Sequence, residues 1–244
     1  MKPVSRHQTI ADYIDALAAR GRYHLTVAQL GEALDLSAPA ARNALKRLAD
    51  RNRIASPARG FYVVIPPEYR RLGCLPAEQF IPALMEREDR PYYVGLLSAA
   101  QYYGAAHHRP QEFQVCLEGN RRPIACGAVR VAFISRKRLK DVSARLFNTP
   151  RGAVNVSTPE ATAIDLAGYP RHAGGLDQVA TVVAELAEDI DAALLVKAAE
   201  IAPLPWAQRL GYLLELAGVG EKTQPLQRFV ETHARDYAPL SPGI

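Results

Sequence analysis

The segment Thr26–Val64, TVAQLGEALDLSAPAARNALKRLADRNRIASPARGFYVV, constrains the fold more than any other part of the chain. Thr26 stands three residues before Gln29, the spacing of a capping box that starts a helix. Val27, Leu30 and Leu34 give that helix one apolar face. Asp35-Leu36-Ser37 reads as a turn, Ser37 as the N-cap of the next helix, and Pro39 as a first-turn residue whose missing N–H does no harm there. At about 100° per residue, Ala41, Ala44, Leu45 and Leu48 fall on one side of this helix and Arg42, Asn43, Lys46 and Arg47 on the other. Ile54 begins a strand, Ser56–Gly60 turns it, and Phe61–Val64 returns. Upstream, Ile10, Ile14, Leu17 and Ala18 trace the stripe of a first helix that Gly21 ends. This order predicts a winged helix-turn-helix, whose second helix keeps one face free for a major groove.

Charge supports that reading. Residues 1–71 hold 12 Lys+Arg against 6 Asp+Glu, whereas residues 72–244 hold 18 against 19, so the whole excess lies at the front. A second basic block, Arg121, Arg122, Arg130, Arg136, Lys137, Arg138, Lys140, Arg145 and Arg151, is interrupted by one acid, Asp141. Residues 160–244 reverse the balance, with 6 basic and 12 acidic residues. A basic front and an acidic back point to a polyanion at the front.

No apolar run approaches the roughly 18–20 residues of a membrane span, and MKPVSRHQTIADYIDAL lacks the uninterrupted apolar core of a secretory signal. Three scattered cysteines make no disulfide framework, and a reduced, cytoplasmic setting is expected. Pro66-Pro67 closes the first unit. The predicted architecture is α+β: a winged helix over 1–66, then a mixed domain over 72–244 with a helical C-terminal part. In that domain, Pro76–Glu86 and Gly95–Tyr103 read as helices, and Glu112–Leu117, Val129–Ser135 and Ala153–Val156 as strands. Thr158-Pro159-Glu160 opens a helix with a cap, a first-turn proline and a charge suited to the dipole. Four helices follow, at about 176–187, 189–201, 205–217 and 225–236.

The groups that could touch DNA are Ser37, Arg42, Asn43, Lys46 and Arg47, with Arg53 and Arg59 flanking the wing tip. Arginine reads guanine edges, asparagine reads adenine, and lysine suits phosphate. Arg121, Arg122, Arg130, Arg136, Lys137, Arg138 and Lys140 form a candidate extension of that surface. Equally, they suit RNA or an acidic protein. No phosphate-binding loop, dinucleotide fingerprint, zinc-protease motif or nucleophile elbow is present. His107-His108 do not share a face, and Cys116 and Cys126, with nine residues between them, lack finger spacing. Glu118 has no lysine two residues on, and Glu160 and Asp165 do not share a helix face. Tyr92-Tyr93 and Tyr102-Tyr103 read as packing groups. The chain is therefore expected to work by binding, as a non-enzyme with no cofactor and no metal. Two rivals stay open. One is a transcription factor whose second domain holds a small effector in an apolar pocket with convergent polar groups. The other is a nuclease or phosphotransfer enzyme, which would need clustered carboxylates with a lysine.

Several segments carry a family resemblance: RGFYVVIPPEYR, PYYVGLLSAAQYYGAAHHRPQEFQV, VRVAFISRKRL and VSTPEATAIDLAGYP. Together they resemble the AbiEi antitoxins of type IV toxin–antitoxin systems, over nearly the whole chain. The resemblance implies a front domain that binds inverted-repeat operator DNA and represses its own operon. It implies a C-terminal domain that counters a nucleotidyltransferase-like toxin without forming a stable complex. The family's DNA contacts then map onto Arg42, Asn43, Lys46, Arg47 and the wing. No heptad pattern decides between monomer and dimer.

Overall fold

The computed structural model describes residues 9–105 and 110–240. Its first elements are α1 (Ile10–Ala19), β1 (His24–Thr26), α2 (Val27–Leu34), α3 (Ala38–Asp50), β2 (Ile54–Ala58), β3 (Phe61–Val64) and α4 (Ile81–Arg87). Next come β4 (Tyr92–Val94), α5 (Leu96–Ala100), β5 (Phe113–Leu117), β6 (Ile124–Cys126), β7 (Val129–Ser135), β8 (Ala144–Thr149) and β9 (Gly152–Ser157). The last are α6 (Pro159–Gly168), α7 (Leu176–Leu186), α8 (Ala192–Glu200), α9 (Leu204–Leu216) and α10 (Gly220–His233). A three-stranded sheet has the order β1-β3-β2, and a six-stranded sheet the order β6-β7-β5-β4-β9-β8. In the larger sheet β4 runs antiparallel to β5 but parallel to β9. The fold is mixed α+β, with a sheet-containing core and C-terminal helices.

The described residues divide into two compact units. One is drawn from 1–90, 122–131 and 148–154, the other from 91–121, 132–147 and 155–244.

In the first unit, local chemistry sets each helix start. Thr9 and Asp12 cap each other reciprocally at the head of α1, and Thr26 and Gln29 do the same for α2. Such caps satisfy amides that the first helical turn leaves unpaired. Asp35 ends α2 in the left-handed region, and Ser37 Oγ accepts the Ala40 N–H to open α3. Ile14, Leu17, Leu25, Leu30, Ala41, Ala44, Leu45, Ile54 and Val64 close one core. β2 and β3 pair antiparallel with an irregularity between Ala55 and Ala58. Gly60 supplies the positive φ the hairpin tip requires. His24 of β1 stacks on Phe61 of β3 at 5.7 Å. Burial, then the nearby Arg22 charge, holds the His24 imidazole below its ordinary pKa.

A late segment also belongs to this unit. Arg151 lies over Tyr23 at 4.1 Å and over Tyr69 at 5.3 Å, pairs with Glu68 at 3.0 Å and bonds the Gln79 side chain. Cys74 and Cys126 are both buried and free, and the neighbouring Cys126 thiol together with burial raises the Cys74 pKa. Beside them Gly127 passes so close to Leu72 and Gly73 that any side chain there would strike backbone.

The second unit is organised around α6, whose residues 159–167 are all buried. A helix buried on every side lies inside a core, and α5, α7, α8 and α9 all pack on it. Its start follows the expected logic, with Thr158 Oγ1 accepting the Ala161 N–H and Pro159 in the first turn. Glu160 is buried, and its Oε1 accepts the N–H of Asp191, the residue that caps α8. At the other end of α6, Asp165 accepts from Arg136 Nε at 2.9 Å and from Tyr93 O–H at 2.5 Å. Arg136 and Asp165 are 3% and 0% exposed. Trp206 of α9 covers the guanidinium at 4.9 Å, and Gly168 leaves the space that the indole occupies.

Two outcomes are expected. Asp165→Ala strands a buried guanidinium and should cost about 3–5 kcal/mol, whereas Arg136→Met with Asp165→Leu should recover most of that loss. Urea unfolding of the two variants checks this. His24 has a folded pKa below its unfolded value of about 6.5, so its contribution is complete above that pH and is lost as pH falls through the window beneath it. Thermal unfolding at pH of about 7.5 and about 5.5 should show a loss in the wild type that His24→Phe reduces.

Candidate nucleic-acid interface

α3 presents the split that its spacing predicts. Ala41, Ala44 and Leu45 are buried and Leu48 is half-buried, while Arg42, Asn43, Lys46 and Arg47 are exposed. Packing against α1 and α2 consumes the apolar side and orients the polar side outward. Among the described residues, none of the four polar side chains has a hydrogen bond or an ion pair within the chain. They remain available to an external ligand. Ser37 is exposed, but its hydroxyl already serves as the α3 cap.

The β2–β3 hairpin stands beside this helix in the same core. Arg59 is exposed next to Gly60 at the tip. Its carbonyl accepts from Arg87 Nη1 at 3.3 Å, and the Arg87 guanidinium lies 5.9 Å from the Phe61 ring. Arg87 therefore steadies the tip, a role no sequence spacing announces, since it lies 28 residues from Arg59. Arg53, the other wing residue expected to touch DNA, is half-buried. It pairs with Asp15 of α1 at 2.9 Å, which ties the start of the hairpin to the first helix.

The second basic block does not form the continuous exposed surface its composition suggests. Arg136 is the clear correction. It follows a strand and sits in a basic run, yet it is buried against Asp165, Tyr93 and Trp206. A cation desolvated this completely needs a counter-charge, and Asp165 supplies it. Arg121 is half-buried over Phe133 at 4.3 Å. Arg130 is exposed, but its Nη1 donates to the Gly127 and Val129 carbonyls. Arg138 pairs with Asp141 and reaches the Glu200 carbonyl. Arg145 lies over the Tyr103 ring at 5.5 Å. Arg122, Lys137 and Lys140 are exposed. The block is also shared between units, Arg122, Arg130 and Arg151 in the first and the others in the second.

The tyrosines are structural. Tyr93 O–H donates to Asp165, Tyr103 O–H to the Ser157 carbonyl, and the Asn155 amide to the Tyr92 carbonyl. Burial pushes the Tyr103 hydroxyl up to about 12. Cys116 is buried, with its thiol raised by the same cause. His107 and His108 lie outside the described residues. Among the described residues, no group of three or more His, Cys, Asp or Glu is placed to hold a metal. No described helix is long and apolar enough to cross a membrane.

Residues 93–216, just over half of the chain, match the model of the AbiEi antitoxin C-terminal domain. The chain belongs to the AbiEi antitoxin family. Its fold is similar to the crystal structure of the RV2827C protein from Mycobacterium tuberculosis, with a TM-score of 0.68 over 94% of this chain and 83% of that one. At 19% identity, that likeness speaks to the fold alone. No curated protein matches the chain.

Proposed function

We propose that the protein is a DNA-binding autorepressor and antitoxin of a type IV toxin–antitoxin system. In this reading residues 1–66 form the DNA reader, and α3 enters the major groove of an inverted-repeat operator. The observation that carries it is the outward face of α3, where Arg42, Asn43, Lys46 and Arg47 are exposed and have no partner among the described residues. Arg42 and Arg47 suit guanine edges or phosphate, Asn43 suits adenine, and Lys46 suits phosphate. Arg59 reaches backbone or minor groove from the wing. Residues 72–244 supply the antitoxin function against a nucleotidyltransferase-like toxin, and act without a stable complex. The family membership supports the antitoxin half, and three free cysteines suit a reduced cytoplasm.

Arg42→Ala with Arg47→Ala should abolish operator binding in a mobility-shift assay and leave the circular dichroism spectrum unchanged, because neither side chain supports the core. Lys46→Ala should weaken binding evenly across sequences and lower the slope of log K against log salt by about 0.9. Unchanged affinity in the double variant overturns the assignment of α3.

The antitoxin half is tested in the full chain. The same double variant, co-expressed with the toxin of the neighbouring open reading frame, should still restore growth. Loss of rescue in a folded variant would show that DNA binding and antitoxicity are one activity. Absence of rescue by the wild type rules out the antitoxin reading for that pair.

A further inference from the structure

Among the described residues the second unit holds two buried arginines, and only one of them has an ion-pair partner. Arg136 has Asp165. Arg209 of α9 is 5% exposed and has only carbonyl partners, its Nη1 donating to Ala167 and its Nη2 to Pro239 at 3.3 Å. Its Nε is buried with no partner. Burial lowers its pKa from the ordinary arginine value. A buried cation left in this state costs free energy that an arriving anion would return.

Arg209 also lines a cleft of about 920 Å³ between α9, α10 and the stretch that follows α10. That stretch is held by Arg209 at Pro239 and by Gln208 Nε2, which donates to the Asp236 carbonyl at 2.8 Å. Tyr212, Val230, Ala234 and Tyr237 give the cleft an apolar and aromatic wall. Tyr212 and Tyr237 are both exposed, Tyr237 fully. The remaining charges are exposed side chains, the acids Glu215, Glu231 and Asp236 against Arg235 alone. This acidic surplus repels polyanions such as nucleotides or nucleic acid, whereas the buried arginine attracts a single negative charge. A planar carboxylate suits the guanidinium fork.

We propose that this cleft binds a small monocarboxylate with an apolar or aromatic body. Its carboxylate meets Arg209, and its body lies against Tyr212, Val230 and Tyr237. The ligand supplies the direct ion-pair partner that no described residue gives Arg209. The site lies within the second unit and does not depend on the reading of α3, so either can fail without the other.

The test uses the full-length protein and calorimetric titration with benzoate and hexanoate, against benzyl alcohol, hexanol and inorganic phosphate. Trp206, the sole tryptophan of the chain and one helical turn from Arg209, gives a second signal by fluorescence. Saturable binding of at least one carboxylate is expected, with none by the alcohols or phosphate. Arg209→Gln should weaken it about 10- to 100-fold, the worth of a charge-assisted hydrogen bond. Binding of the alcohols as tight as that of the acids, unchanged binding in Arg209→Gln, or no carboxylate binding up to about 10 mM overturns the proposal. Phosphate binding as tight as benzoate overturns the apolar half of the site. If Arg209→Gln does not fold, Tyr212→Ala replaces it, because that exposed side chain lies on the cleft wall and outside the core. Tyr212→Ala should weaken carboxylate binding about 10-fold with unfolding temperature unchanged, and unchanged binding counts against the site.

Discussion

The buried ion pair between Arg136 and Asp165 is the constraint on which the second unit depends. Apolar side chains can repack in many nearly equivalent ways, but a desolvated guanidinium has few acceptable surroundings. Arg136 stands just after β7, Asp165 on α6, Tyr93 on β4 and Trp206 on α9. One charge therefore ties two interior strands of the sheet, a central helix and an outer helix to common atoms. Gly168 fits the same logic, since a methyl group there would overlap the indole that roofs the pair. The residues that would look most reactive in isolation, a buried acid beside a tyrosine and near a cysteine, are thereby explained as architecture.

The first unit solves a different problem. Its helices must bury one face completely and leave another bare. Alanine and leucine at the inner positions of α3 pack on α1 and α2, so the outer positions need no support from neighbours. The charges that do find partners, Arg53 with Asp15 and Arg87 with the Arg59 carbonyl, brace the hairpin. The proposed recognition role of α3 would require such a frame around polar groups that have no partner among the described residues.

Much of this was legible in residue order. Helix starts were readable because caps are local: Thr26, Ser37 and Thr158 each act within three residues. The division of α3 was readable because it needs only the helical period. The short strands were not, since the three residues of β1, β4 or β6 cannot establish an alternation. β8 was missed for another reason, as half of its residues are exposed and its apolar signal is weak. The last helix was expected from about 225, yet α10 begins at Gly220 and carries Pro225 inside. The fate of Arg136 was the least legible feature. Nothing in the run Arg136-Lys137-Arg138 distinguishes the first residue from the third. The distinction comes from Asp165, 29 residues later, and Tyr93, 43 residues earlier. Arg209 was overlooked likewise, because burial without a counter-charge is a property of packing.

The cage around Arg151 has a consequence for the birth of the molecule. Tyr23, Glu68 and Tyr69 come early in the chain, but the guanidinium they close upon lies 128 positions after Tyr23. At about 5–20 residues per second, translation delivers it roughly 6 to 25 seconds later. The caps and core of the helices can form as the front leaves the ribosome, because their partners are close in sequence. This anchor cannot. The front of the nascent chain must wait for a stretch made well into the second half, so the order of synthesis and the order of completion part company.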